Sequence, residues 1–253
     1  CTYCHVGNAL TIMLDIEKFT EKLSTLMKNN PWQKLYKYDN QGDVLTLEPE
    51  YCATKKLVEH FANTDKYLML YSKSDNVDHL LDLNHKGHTI ACWTVTCDEA
   101  AEKYELGAPP TDERIEAARK CWANGYNVRF RFSPIIPIAG WKEKNAEMIE
   151  KAFTKVMPEV ICLETLCHMD KQQYGELFTE LEYEPQDPIT EYELYSHENR
   201  KEIYSFFINE IRKHNKKTKI ALCLETEKMW KDLGASLNGN PNNFFCCCGA
   251  KCI

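Results

Sequence analysis

A chain of 253 residues with 43% hydrophobic and 27% charged residues, ten Gly and ten Pro can bury one large core, and this composition excludes a low-complexity or collagen-like polymer. The formal net charge of -7 excludes a protein that wraps nucleic acid chiefly by neutralising phosphates, so any nucleic-acid contact is expected to be local. No apolar run approaches the roughly 18 residues of a membrane span, and the opening CTYCHVGN lacks the charged-then-apolar pattern of a leader. A soluble, unexported, cytoplasmic chain is expected.

Short β-rich runs alternate with helical stretches, the pattern of parallel strands joined by helical crossovers. In chain order, helices are expected near Ile16–Lys28, Tyr51–Ala62, Val77–Asn84, Asp112–Asn124, Lys144–Val156 and Asn199–Lys213. Strands are expected near Leu35–Tyr38, Tyr67–Tyr71, Thr89–Val95, Val128–Phe132, Val160–Leu163 and Lys219–Leu222. Thr111 suits the N-cap of the fourth helix, Asp112 and Glu113 suit the positive end of its dipole, and Asn124-Gly125 marks its end just before VRFRF. With right-handed crossovers the series closes toward a partial barrel whose working face lies at the strand C-termini.

Gln172 to Ser196 is acidic, aromatic and irregular, and is expected to form a long loop over the barrel mouth. Residues 1–233 are expected to form the barrel and the Asn-, Gly- and Cys-rich residues 234–253 a tail, with no repeat and no second domain. A barrel of this sort should place a strand before its first helix. The chain opens instead on a Cys-containing loop, so an N-terminally incomplete barrel is expected.

Thirteen cysteines in a reducing compartment point to metal or redox chemistry rather than disulfides. Cys1-Thr2-Tyr3-Cys4 is a CxxC, and on that motif alone zinc, dithiol redox and iron–sulfur readings carry equal weight. No second CxxC completes a zinc set, and His5-Val6-Gly7-Asn8 is no helix start of the kind a thioredoxin-like motif needs. Motifs for nucleotide triphosphates, dinucleotides, zinc proteases and serine esterases are absent. His79 and His85 fit structural roles, and Cys92, Cys121, Cys162 and Cys223 fit small core residues. The basic runs Arg212 to Lys219 and Lys34 to Lys37 fit solvated faces.

The segments SKSDNVDHLLDLNHKGHTIACWTVT (Ser72 to Thr96) and LGAPPTDERIEAARKCWANGYNVRFRFSPIIPIAGW (Leu106 to Trp141) resemble the central region of the spore photoproduct lyase family of radical S-adenosylmethionine (SAM) proteins. The resemblance implies an α/β fold, a partial (β/α)6 TIM-like barrel of the radical SAM type lacking its first strand here. It also implies a CxxxCxxC motif in which Tyr3 and Cys4 fit the end and Cys1 the middle cysteine, with the first lying four residues upstream of Cys1. Three such thiolates would hold a [4Fe–4S] cluster and leave one iron for SAM. Reductive SAM cleavage would then give a 5′-deoxyadenosyl radical that abstracts hydrogen. Gly42, Lys73, Thr94 and Ser133 match positions that contact SAM in the family. The implied partners are damaged DNA carrying a thymine dimer and an electron donor such as ferredoxin or flavodoxin.

Two positions depart from the family pattern. Asn40 stands where spore photoproduct lyases carry the cysteine that returns a hydrogen atom, and His5 stands where the family often has Tyr. Cys246, Cys247, Cys248 and Cys252 offer substitute thiols or auxiliary cluster ligands. Three readings therefore stay open: dimer repair, radical chemistry on another substrate, and a non-catalytic metal-binding relic.

Overall fold

The computed structural model describes residues 1, 3, 12–38, 42–168, 181–186 and 193–237. The strands are β1 (Leu35–Tyr38), β2 (Tyr67–Ser72), β3 (Thr89–Val95), β4 (Asn127–Ile135), β5 (Val160–Thr165), β6 (Tyr183–Pro185), β7 (Glu193–Tyr195) and β8 (Lys219–Leu222). Six of them form one curled, parallel sheet in the order β1-β2-β3-β4-β5-β8, a half-barrel. All six strands expected from the sequence are present.

The strands were legible because both of their faces are covered. Every residue of TIACWTV and VICLET is buried, the continuous run that a parallel sheet with helices on it requires. Leu68, Leu70, Ala91, Trp93, Val95, Phe130, Phe132, Ile161 and Leu163 pack into the main core with the helices. The alternate residues Met69, Ile90 and Cys92, and Val160, Cys162 and Ala221, cluster separately on the other face of the sheet. Cys92, Cys121 and Cys162 are buried as expected.

The helices are α1 (Ile16–Asn29), α2 (Ala53–Phe61), α3 (Asp78–Leu81), α4 (Asp98–Tyr104), α5 (Thr111–Ala123), α6 (Trp141–Lys155), α7 (His197–His214) and α8 (Glu227–Leu237). Thr111 is not the cap of α5. Pro110 holds that position in extended geometry, and Thr111 opens the helix with its hydroxyl donating to the Thr96 carbonyl at 2.7 Å. A proline at the cap leaves no side-chain acceptor for the first N–H groups, and Asp112 and Glu113 supply the negative charge there. Helix α3 is a single turn, shorter than the span Val77–Asn84, while α6 starts three residues before Lys144, straight after Gly140 at φ +69°.

Helices α4 and α8 were not anticipated, and α8 crosses position 234, where the tail was expected to begin. The span Gln172 to Ser196 is also not wholly irregular, because β6 and β7 pair as an antiparallel ribbon inside it. Arg212 is no solvated charge: its guanidinium donates to the carbonyls of Thr218 and Leu237, tying the end of α7 to β8 and α8. His85 is structural, stacked on Tyr126 at 3.9 Å between centroids with Nε2 3.1 Å from the Asn124 carbonyl. No helix among the described residues is long and apolar enough to cross a membrane.

Candidate functional site

Strand β2 ends at Ser72, so Lys73 is the first residue beyond the C-terminal edge of the sheet. A single carboxylate fixes this turn. Asp43 accepts the Ser72 hydroxyl at 2.7 Å on Oδ1 and the Lys73 backbone N–H at 2.7 Å on Oδ2, and Oδ1 also accepts the Leu45 N–H at 3.0 Å. Gly42, which is exposed, directly precedes Asp43 in the chain.

The Lys73 side chain runs to the N-terminus. Its Nζ lies 2.7 Å from the Tyr3 hydroxyl, 3.5 Å from Cys1 Sγ and 2.5 Å from Glu105 Oε1. Tyr3 donates its own hydroxyl proton to the same Oε1. The other oxygen, Oε2, accepts from the Thr96 hydroxyl at 2.9 Å and the Arg114 guanidinium at 2.5 Å. Burial alone would raise the Glu105 pKa. The Lys73 and Arg114 charges, with hydrogen bonds from Lys73 and Tyr3, overcome it and hold the carboxyl at about 2.

Thr94 and Ser133 are both buried and lie on one face of adjacent strands. Tyr71, Cys92 and Arg129 are aligned across β2, β3 and β4, and Thr94 and Arg131 two residues further along. The side-chain alternation of a strand puts Thr94, Arg131 and Ser133 on the face of Tyr71 and Cys92, away from the main helix-packed core. Ser133 Oγ donates to Glu164 Oε2 at 2.6 Å, and the same carboxylate pairs with Arg131. With its proton engaged and one lone pair taken by Arg131 Nη2 at 3.4 Å, Ser133 Oγ keeps one lone pair to offer a ligand's donor.

Cys1, Tyr3 and Lys73 are thus brought together, Gly42 precedes the Asp43 that holds the Lys73 backbone, and Thr94 and Ser133 lie on the neighbouring strands. Cys4, His5, Asn40 and Cys246 to Cys252 lie outside the described residues. Sequence reasoning missed Glu105, Arg114 and Glu164, and used Asp43 only as a landmark. Glu105 and Arg114 sit in polar stretches that read as surface, Glu164 follows directly on the apolar run VICL, and ion pairs made through the fold leave no local periodicity.

A family profile described as spore photoproduct lyase matches residues 1–217. The chain belongs to the spore photoproduct lyase family. It is 28% identical over 159 residues to the spore photoproduct lyase of Bacillus subtilis strain 168, a match covering 60% of this chain and 46% of that one. The chain thus spans less than half the length of that relative. The Clostridium acetobutylicum spore photoproduct lyase is 21% identical over 241 residues, covering 87% of this chain and 72% of that one. A solved spore photoproduct lyase complexed with dinucleoside spore photoproduct superposes with TM-score 0.77 at 18% identity, covering 88% of this chain and 73% of that one. A mutant solved with bound AdoMet and dinucleoside spore photoproduct gives 0.76 at 18% identity, covering 87% and 72%. This family fold is the partial barrel expected from the sequence.

The residues present fit the family's cofactors. Cys1 is an exposed free thiol, and a cation 3.5 Å away suits a thiolate that carries an anionic cluster. Lys73 also faces the sheet edge with an ammonium that suits a carboxylate, and Thr94 and Ser133 add hydroxyls on the same face.

Proposed function

We propose that this chain is a radical SAM enzyme that holds a [4Fe–4S] cluster through Cys1 and Cys4 and seats SAM along Gly42, Lys73, Thr94 and Ser133. When bound, the cluster supplies one electron that cleaves SAM, giving the 5′-deoxyadenosyl radical that takes a hydrogen atom from the substrate. The observation that carries this reading is the Lys73 ammonium, held between Cys1 Sγ and Glu105 at the C-terminal edge of β2. Residues remote in sequence meet where a barrel of parallel strands places its site.

In this reading Lys73 binds and orients the SAM carboxylate beside the Cys1 ligand. Ser133 accepts a hydrogen bond from a ligand donor, and Glu164 keeps that hydroxyl in one orientation. Tyr3, between the two cluster cysteines, hydrogen-bonds Glu105 and closes the cluster side of the site. The relatives' substrate makes spore photoproduct in DNA the first candidate, a lesion easier to extrude from the stack than an intact base. An external one-electron donor such as a ferredoxin or flavodoxin completes the system. Asn40 in place of a cysteine favours a second reading, in which the same chemistry serves a different substrate.

Anaerobic reconstitution tests the assignment. The full-length protein is expected to bind about four irons per chain at this site and to convert SAM to 5′-deoxyadenosine when reduced. Cys4→Ala is expected to abolish both. Full iron content with an unchanged spectrum in that variant would overturn the reading.

A further inference from the structure

The Lys73 ammonium does not reach Cys1 unaided. A lysine has four rotatable side-chain bonds, and holding its tip in one place costs entropy unless a fixed partner captures it. That partner is Glu105, whose side chain is 1% exposed. The two oxygens of Glu105 divide the work. Oε2 is tied to the body of the protein by the Thr96 hydroxyl and by Arg114, itself fully buried and donating to the Pro109 carbonyl at 2.7 Å. Oε1 faces the site and carries both Lys73 and Tyr3.

An immobile anion thus presents one oxygen to two groups that arrive from different parts of the chain. Lys73 comes from the end of β2 and Tyr3 from the N-terminal segment, and they also touch each other at 2.7 Å. Without Lys73 and Tyr3, the Oε1 side of a buried carboxylate would lose its partners, and desolvation makes that costly. Glu105 therefore draws both groups in rather than merely tolerating them.

The geometry points to Glu105 as a positioning residue: anchored by Arg114 and Thr96, it sets the Lys73 ammonium and the Tyr3 hydroxyl beside Cys1 so that the SAM-binding side of the site is assembled before SAM arrives. This inference rests on the proposed SAM site for its functional half. The placement of Lys73 and Tyr3 stands apart from that half and can be tested alone.

Two measurements separate them. The first uses metal-free protein and reads amine-directed labelling of Lys73 by mass spectrometry in the native protein and in Glu105→Gln. Loss of the carboxylate is expected to expose Lys73 to the reagent several-fold faster, with surface lysines such as Lys55 unchanged. The second is a cycle of Glu105→Gln, Lys73→Ala and the double variant, with SAM affinity measured by calorimetry on iron-loaded protein. Each single change is expected to weaken SAM by at least about tenfold, the loss of a charge-assisted contact. The double variant is then expected to be little worse than either, because both act through one ammonium.

If Glu105→Gln fails to fold, Glu105→Gln combined with Arg114→Met removes the buried pair together and takes its place in both measurements. Unchanged Lys73 labelling would overturn the inference, and so would additive effects on SAM affinity, which are what a purely structural role produces. Faster labelling with SAM affinity unchanged in every variant would uphold the placement and sink the SAM reading instead.

Discussion

The carboxylate of Asp43 accepts the backbone N–H of Lys73 at 2.7 Å, so the turn that launches the site lysine is fixed by a residue 30 positions earlier in the chain. The same side chain takes the Ser72 hydroxyl and the Leu45 N–H, joining the segment after β1 to the end of β2. Asp43→Ala is expected to destabilise the metal-free protein by about 1–3 kcal/mol, the cost of leaving these donors without their acceptor. Asp43→Asn is expected to cost less, because its amide oxygen keeps part of the acceptor capacity while its NH2 group loses the rest. Urea unfolding gives the stability difference, and equal midpoints for all three proteins would show that the clasp contributes nothing.

Glu105 ties stability to pH. Its carboxyl titrates at about 2 in the folded protein against an ordinary value of 4.5, so folding favours the ionised form. The sign follows from linkage: the contribution is complete above the unfolded value and is lost as pH falls from about 5 toward 2. The contribution is about 3 kcal/mol at neutral pH, to order of magnitude. The native protein is therefore expected to lose more stability between pH 6 and pH 3 than Glu105→Gln combined with Arg114→Met, in which neither partner is charged. Parallel stability curves for the two proteins across that range would contradict the assignment.

The sheet was legible in the sequence and the polar frame of the site was not, for a common physical reason. Parallel strands buried on both faces must be apolar along their length, so TIACWTV and VICLET announce themselves. Helix α4, with only the seven residues DEAAEKY and no side-chain cap, lacks the length over which periodicity shows. The β6–β7 ribbon has only three residues in each strand, too few for alternation to show, and its Glu184, Pro185 and Glu193 read as loop. Lys73, Thr94 and Ser133 were singled out by the family resemblance, and their places at strand ends, where barrels bind ligands, agree with it. Glu105 and Arg114 were not, because a buried ion pair is indistinguishable in sequence from two surface charges until the fold brings them together.

The thiols differ in exposure: Cys121 is buried and Cys167 half-buried. Burial pushes Cys121 up to about 12, and burial reinforced by the neighbouring Cys223 does the same to Cys167. Cys1 and Cys52 are exposed. Iodoacetamide at pH 8 under native, metal-free conditions is expected to modify Cys1 and Cys52 within minutes and to leave Cys121 and Cys167 intact until urea is added. Peptide mapping reads this directly. Alkylation of Cys167 at the rate of Cys52 would mean that the C-terminal edge of β5 is open to solvent.

Dimer repair and other radical chemistry part at Asn40. A thymine radical left after a dimer splits needs a nearby weak X–H bond, and a thiol S–H supplies one, whereas the amide N–H and C–H bonds of Asn40 are too strong. A protein with Asn at this position must return hydrogen from another thiol, Cys246 to Cys252 among them, or leave the radical to external quenching. The full-length enzyme lacking residues 238–253 is therefore expected to cleave SAM to 5′-deoxyadenosine while repairing spore photoproduct poorly, with side products of quenching. Asn40→Cys is expected to raise clean thymine recovery in the same assay, since it restores the hydrogen donor without touching Cys1, Cys4 or Lys73. Efficient, clean repair by the truncated protein with Asn40 in place would show that hydrogen is returned by another route. Unchanged repair in Asn40→Cys, with SAM cleavage intact, would point the site toward a different substrate.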